Sequence, residues 1–134
     1  MMHLKREEGA AAVEFALLLP LLMLILFGII EFGLVLYDQE VITNASREGA
    51  RYGIVAVSPR RTTGEIQGVV NTYLTNAGLT PGNATVNVTG AQGASGSDLT
   101  VSVIYPYDFL VLSNLAQGLG STLNLNGRTV MKLE

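Results

Sequence analysis

The chain has 134 residues, room for one small domain and an anchor, and is 49% hydrophobic against only 14% charged. A net charge of −3 with no basic patch argues against nucleic acid as a partner. Cysteine is absent and the single histidine is His3, so disulfides, thiolate metal sites and most general-base chemistry lack residues to carry them.

Residues 1–9 hold Lys5, Arg6, Glu7 and Glu8 ahead of Gly9 and read as a charged cytoplasmic leader. From Ala10 to Leu36 only Glu14 and Glu31 are charged. As a helix this stretch is about 40 Å long, enough to cross a hydrocarbon core of about 30 Å. The run is longer than the apolar region of a cleaved secretory signal and no small-residue cleavage site follows Phe32, so it reads as a retained anchor. Pro20 removes a backbone donor and is expected to bend the helix, while Gly28 and Gly33 suit close contact with neighbouring helices. Lys5 and Arg6 precede the span and the next cation is Arg47. That asymmetry keeps the N-terminus cytoplasmic and exports the rest.

Residues 37–57 keep helical periodicity after the apolar run ends, with Val41, Ala45, Gly49, Tyr52 and Ala56 on one face and an i,i+3 pair available to Glu48 and Arg51. Ser58-Pro59 is expected to end this helix. The small residues Ala45, Gly49, Ala50 and Gly53 allow close approach, either by a partner or by the chain's own sheet.

Residues 60–134 read as a small α+β module. A second helix spans about residues 64–77, with Ile66, Val69, Val70, Tyr73, Leu74 and Ala77 on one face, a Thr62/Glu65 capping box and Gly78 as its stop. Ala84, Val86 and Val88 alternate with polar residues, as do Leu99, Val101, Val103 and Tyr105 after the polar loop 90–98. Residues 108–118 form a short helix or loop, and LNLNGRTVMKL is either a hairpin about Asn126-Gly127 or one last strand. The fold class is therefore α+β: a long N-terminal helix, transmembrane in its first half and amphipathic in its exported half, packed on a small antiparallel sheet with a second helix. Some 75 residues make a thin core, and the outer half of the long helix supplies its missing apolar face.

Catalysis fits poorly, because no His, Cys or clustered Lys stands beside the exported Ser, Thr, Asp and Glu residues as base or nucleophile. Asp98 and Asp108 read as turn residues, Arg60-Arg61 as a solvated linker, and the N-x-S/T matches at Asn44, Asn83 and Asn87 as chance. No catalytic residue, metal site, cofactor or small-molecule substrate is expected. Glu31 reads as a shallow acid near the outer headgroups, about 31 Å along the helix from Ala10. Glu14, close to the inner face, would on composition alone be its interfacial counterpart.

Context changes that reading. Gly9, four small or apolar residues, then Glu14-Phe15 and a hydrophobic helix resemble the type IV prepilin-processing pattern, in which a membrane peptidase cuts after the glycine. The wider stretch GAAAVEFALLLPLLMLILFGIIEFG, followed by ASREGARYG, resembles the TadE-like pseudopilins of the tight-adherence (Flp) pilus system. Residues 8–53 carry the likeness through Glu14-Phe15, Pro20, Gly28, Glu31-Phe32 and the run from Arg47 to Arg51; beyond residue 57 it is looser. The resemblance implies a pilin-like lollipop in the bacterial inner membrane, with its domain periplasmic. It implies processing between Gly9 and Ala10, and recognition and assembly through Glu14 and Phe15. Its partners would be the membrane, a prepilin peptidase, other pilins or pseudopilins and the pilus assembly platform. In type IV pilins the acid is thought to neutralise a neighbour's freed amine, which offsets the penalty either charge would suffer alone. The rival reading is an unprocessed single-span protein whose exported module binds a periplasmic partner.

Overall fold

In the computed structural model the backbone is described for residues 2–114 and 122–134, and side chains for residues 7–113 and 122–134. His3, the leader cations Lys5 and Arg6, and residues 115–118 of the expected short helix or loop lie outside the described side chains or residues.

One helix, α1 (Met2–Ile54), runs without interruption through both the expected anchor and the expected extension, with Pro20 inside it. Its first half is apolar on every side and exposed on every side: Val13, Leu17, Leu22 and Ile29 are all more than half exposed. A helix of this length and composition can cross a membrane once. Beyond residue 36 one face turns inward, and Val41, Ile42, Ala45, Ser46, Gly49, Ala50 and Gly53 are buried. Ala56, expected on that face, lies past the end of the helix and is exposed. The helix is thus lipid-compatible at one end and a core element at the other.

Helix α2 (Thr63–Asn76) begins at the expected capping box: the Thr62 hydroxyl accepts from the Glu65 N–H at 3.2 Å, and the Glu65 carboxylate accepts from the Thr62 N–H at 2.7 Å. These bonds hold the exposed Glu65 carboxyl below its ordinary value. Gly78, at φ +86°, turns the chain off the helix as only glycine does readily. Ile66, Val70 and Leu74 form its buried stripe. The pair Arg60-Arg61 is not the solvated linker expected. The Arg60 guanidinium donates to the backbone oxygen of Glu134 at 2.6 Å, and that of Arg61 lies 4.5 Å over the Tyr52 ring.

The sheet has three antiparallel strands in the order β1-β2-β3: β1 (Thr85–Thr89), β2 (Asp98–Asp108) and β3 (Thr122–Lys132). Leu99, Val101, Val103 and Tyr107 of β2, with Leu125 of β3, face the two helices and are buried. Alternate residues such as Asn126, Arg128 and Val130 face outward, the pattern of a one-sided antiparallel sheet. The closing segment is one strand and not a hairpin about Asn126-Gly127. Gly127 pairs with Val103 in mid-ladder, and a Cβ there would stand 2.7 Å from the Ile42 carbonyl oxygen. The glycine lets the β3 backbone touch the α1 backbone.

The small residues of α1 serve the same end. A Cβ on Gly49 would meet Val70 at 2.5 Å, and one on Gly53 would meet Leu99 at 2.6 Å and Ile66 at 2.7 Å. Ala45 and Ala50 are fully buried. Of the two readings of this stripe, packing against the chain's own domain is the one the structure bears out. Side chains complete the joint: Ser46 Oγ bonds Thr43 O and Thr129 Oγ1, both at 2.7 Å, and Gln39 donates to the Asn126 carbonyl at 2.9 Å.

Two glycine substitutions should move stability in opposite directions. Gly127→Ala drives a methyl into the α1 backbone and should cost about 1–3 kcal/mol. Gly68→Ala, at an exposed α2 position where a Cβ meets nothing within 4 Å, should add about 0.5–1 kcal/mol. Thermal unfolding in detergent micelles reads both; equal shifts would contradict the packing described.

Candidate functional site

The predicted site residues Gly9, Ala10, Glu14 and Phe15 all lie on the first half of α1 and are exposed, Phe15 at 61%. A Cβ on Gly9 meets nothing within 4 Å, so packing among the described residues gives no reason for glycine there. Ala10 and Glu14 are four positions apart, which puts them one turn apart on the same helix face. Glu14 has no hydrogen-bond or ion-pair partner among the described residues.

The second acid of the apolar run is different. Glu31 is 1% exposed and is the focus of a polar cluster joining α1 to the far end of β2. Its Oε1 accepts from the Tyr107 hydroxyl at 2.7 Å and from the Leu110 N–H at 2.8 Å. Its Oε2 accepts from the Val111 N–H at 2.8 Å. The shallow acid expected near the outer headgroups is thus buried within the fold and accepts three hydrogen bonds. Around it the Tyr107 and Phe109 rings meet edge to face, 5.6 Å between centroids at 82°. Burial first, and then the Glu31 carboxylate it bonds, push the Tyr107 phenol well above its ordinary value.

Chemically this cluster binds a turn. A carboxylate held by three donors is a strong acceptor with every nearby proton committed. The sequence held a partial signal, since an acid 21 residues into an apolar run is costly unless paired. Its partners lie 76 to 80 residues away, which a single sequence does not reveal.

Each bond to a charged acceptor is worth about 1.5–3 kcal/mol. Tyr107→Phe should therefore lower stability by roughly that amount, and Glu31→Ala by more, because two backbone N–H groups lose their acceptor. The phenol's raised value favours the protonated, folded form. Its contribution is fully present below the ordinary tyrosine value of 10.0 and is lost as pH rises through the higher folded value. Above pH 10 the wild-type chain should thus lose stability more steeply than Tyr107→Phe; parallel unfolding curves for the two would count against the bond.

Comparison with known proteins gives one result. Residues 9–51 match a family model described as TadE-like protein. No curated protein and no solved structure matches the chain. The matched stretch opens on the unpacked Gly9 and takes in Glu14, Glu31 and the buried small positions up to Ala50. Over residues 9–51, then, about a third of its length, this chain is similar to the TadE-like family.

Proposed function

We propose that the chain is an accessory (minor) pseudopilin that helps assemble Flp-type pili for adhesion, cut by a prepilin peptidase between Gly9 and Ala10. It sits once through the bacterial inner membrane with its N-terminus cytoplasmic and its α+β domain periplasmic. The observation that carries this reading is the family match beginning at Gly9, a residue whose lack of side chain no contact inside the protein requires. Three further features support it. Glu14 is exposed and without a partner among the described residues, as a group meant for a neighbour's amine would be. Phe15 beside it is 61% exposed. A Cβ at Gly28 or Gly33 meets nothing within 4 Å, so both positions are open to a neighbouring helix.

Cleavage frees the Ala10 amine one turn from Glu14 at the cytoplasmic end of the span. In a bundle of such helices, the Glu14 carboxylate of one chain and the amine of the next stabilise each other where neither is well solvated. The peptidase, the other pilins or pseudopilins and the assembly platform are the partners this requires.

A second reading has one observation in its favour. α1 is helical straight across Gly9 and Ala10, whereas a peptidase needs its scissile bond out of the helix. On that reading the chain is an unprocessed single-span protein whose periplasmic module binds a partner. The mass of the mature chain separates the two.

Gly9→Leu should leave an unprocessed, membrane-bound precursor, and a mature N-terminus still at Ala10 in that variant would refute the cleavage site. Glu14→Ala and Glu14→Gln should insert normally, because a membrane desolvation cost is removed. Both should nevertheless abolish piliation in a strain lacking the native copy. Glutamine keeps size and hydrogen bonding but cannot neutralise an amine. Normal pili with both variants would reduce Glu14 to an interfacial acid.

A further inference from the structure

We propose that the turn 109–112 is a membrane-insertion element: it enters the outer leaflet of the bilayer that α1 crosses and lays the exported domain against the lipid surface. The occupant of this apolar surface is lipid acyl chain, and three independent observations lead there.

The first is exposure. Leu110 is 70% exposed and Val111 is 39% exposed, and Leu123, which pairs with Tyr107 beside the turn, is 41% exposed. Among the described residues of the α+β domain the other large exposed apolar side chains, Val55 and Val130, stand singly; here two are consecutive in the turn and a third lies across from Tyr107, at the end of the strand that leads into it.

The second is position. Val111 and Leu112 line one apolar hollow of about 480 Å³ together with Pro20, Leu24 and Phe27 of α1. Phe27 and Leu24 stand one and two helical turns nearer the N-terminus than Glu31, about 6 and 10 Å down the helix. The turn therefore reaches past Glu31 toward the membrane and lies alongside side chains of the span itself. Its apolar surface is continuous with the lipid-facing surface of the helix.

The third is the backbone. An irregular turn is tolerated in hydrocarbon only when its N–H groups are satisfied by protein. Those of Leu110 and Val111 both end on Glu31, at 2.8 Å each, and the carboxylate is itself screened from the surroundings at 1% exposure. A turn made for water needs no buried acid to hold its amides. This one presents leucine and valine outward and turns the N–H groups of both inward onto Glu31.

The chain contains no Trp and no Cys, so single probes can be placed cleanly. The full chain is reconstituted in phosphatidylcholine vesicles with brominated acyl chains, carrying one of Leu110→Trp, Phe27→Trp (within the span) or Val130→Trp (outward on β3). Bromine should quench the tryptophan at position 110 about as strongly as at 27, and several-fold more than at 130. Quenching at 110 no greater than at 130 would overturn the proposal. So would a blue-shifted emission at 110 that bromine leaves untouched and that fades as the protein is diluted in lipid, which would make a second copy the occupant. Should the tryptophan disturb the turn, Leu110→Cys and Val130→Cys bearing an environment-sensitive dye repeat the comparison with the same opposite outcomes. None of these results depends on whether Gly9 is cut.

Discussion

A single helix passes from one solvent to another, and the rest of the fold follows from that. In the bilayer α1 must be apolar on all sides, because there is no water to favour one face over another. In the α+β domain it must be apolar and narrow on one face only, because a sheet and a second helix close on it. The sequence makes the change between Glu31, the last acid of the apolar run, and Val41, the first residue of the buried stripe. Below that boundary leucine, isoleucine and phenylalanine point outward. Above it alanine, serine and glycine point inward, so that β3 comes within backbone contact of α1 at Gly127. A domain this small gains a sufficient core only by borrowing the helix of its own anchor. The α+β domain and the apolar half of α1 are for this reason one mechanical unit, with no linker along α1.

Glu31 marks the boundary and fastens it. The three bonds it receives bring the end of β2 down to the level at which the helix leaves its lipid-facing character. Charge here is structural: an ionised acceptor holds two amides and a phenol more firmly than a neutral one would. The cost of burying that charge is offset only because all three donors are in place, which makes the cluster sensitive to the loss of any one of them.

Much of this was legible in the residues. Local rules sufficed for α2, where Thr62, Glu65 and Gly78 mark start and stop, and for the alternating strands, where period two is unmistakable in TVNVT and LTVSV. Local rules failed where the decisive contact is distant. Asn126-Gly127 carries a turn signal, yet it sits mid-strand because the glycine answers to Ile42, far away in the chain. Arg60-Arg61 looks like a solvated pair until the backbone oxygen of Glu134 and the Tyr52 ring are brought beside it. The stripe of small residues on α1 admitted a partner or the chain's own sheet equally, and only the positions of Val70, Leu99 and Ile66 decide between them.

The two acids of the apolar run finally explain each other. Both sit in a helix that composition alone would place wholly in lipid, and each would be expensive there without a partner. For Glu31 the chain supplies three donors, and the acid disappears into the fold. For Glu14 the described residues supply none, although the same sequence shows how completely it can satisfy a buried carboxylate where the fold calls for it. Packing among the described residues accounts for the first acid and leaves the second unexplained, along with the glycine five residues before it. What is unsatisfied inside a chain is available to something outside it. The physical case for an intermolecular role at Glu14 therefore rests as much on the saturation of Glu31 as on the family pattern in which both residues fall.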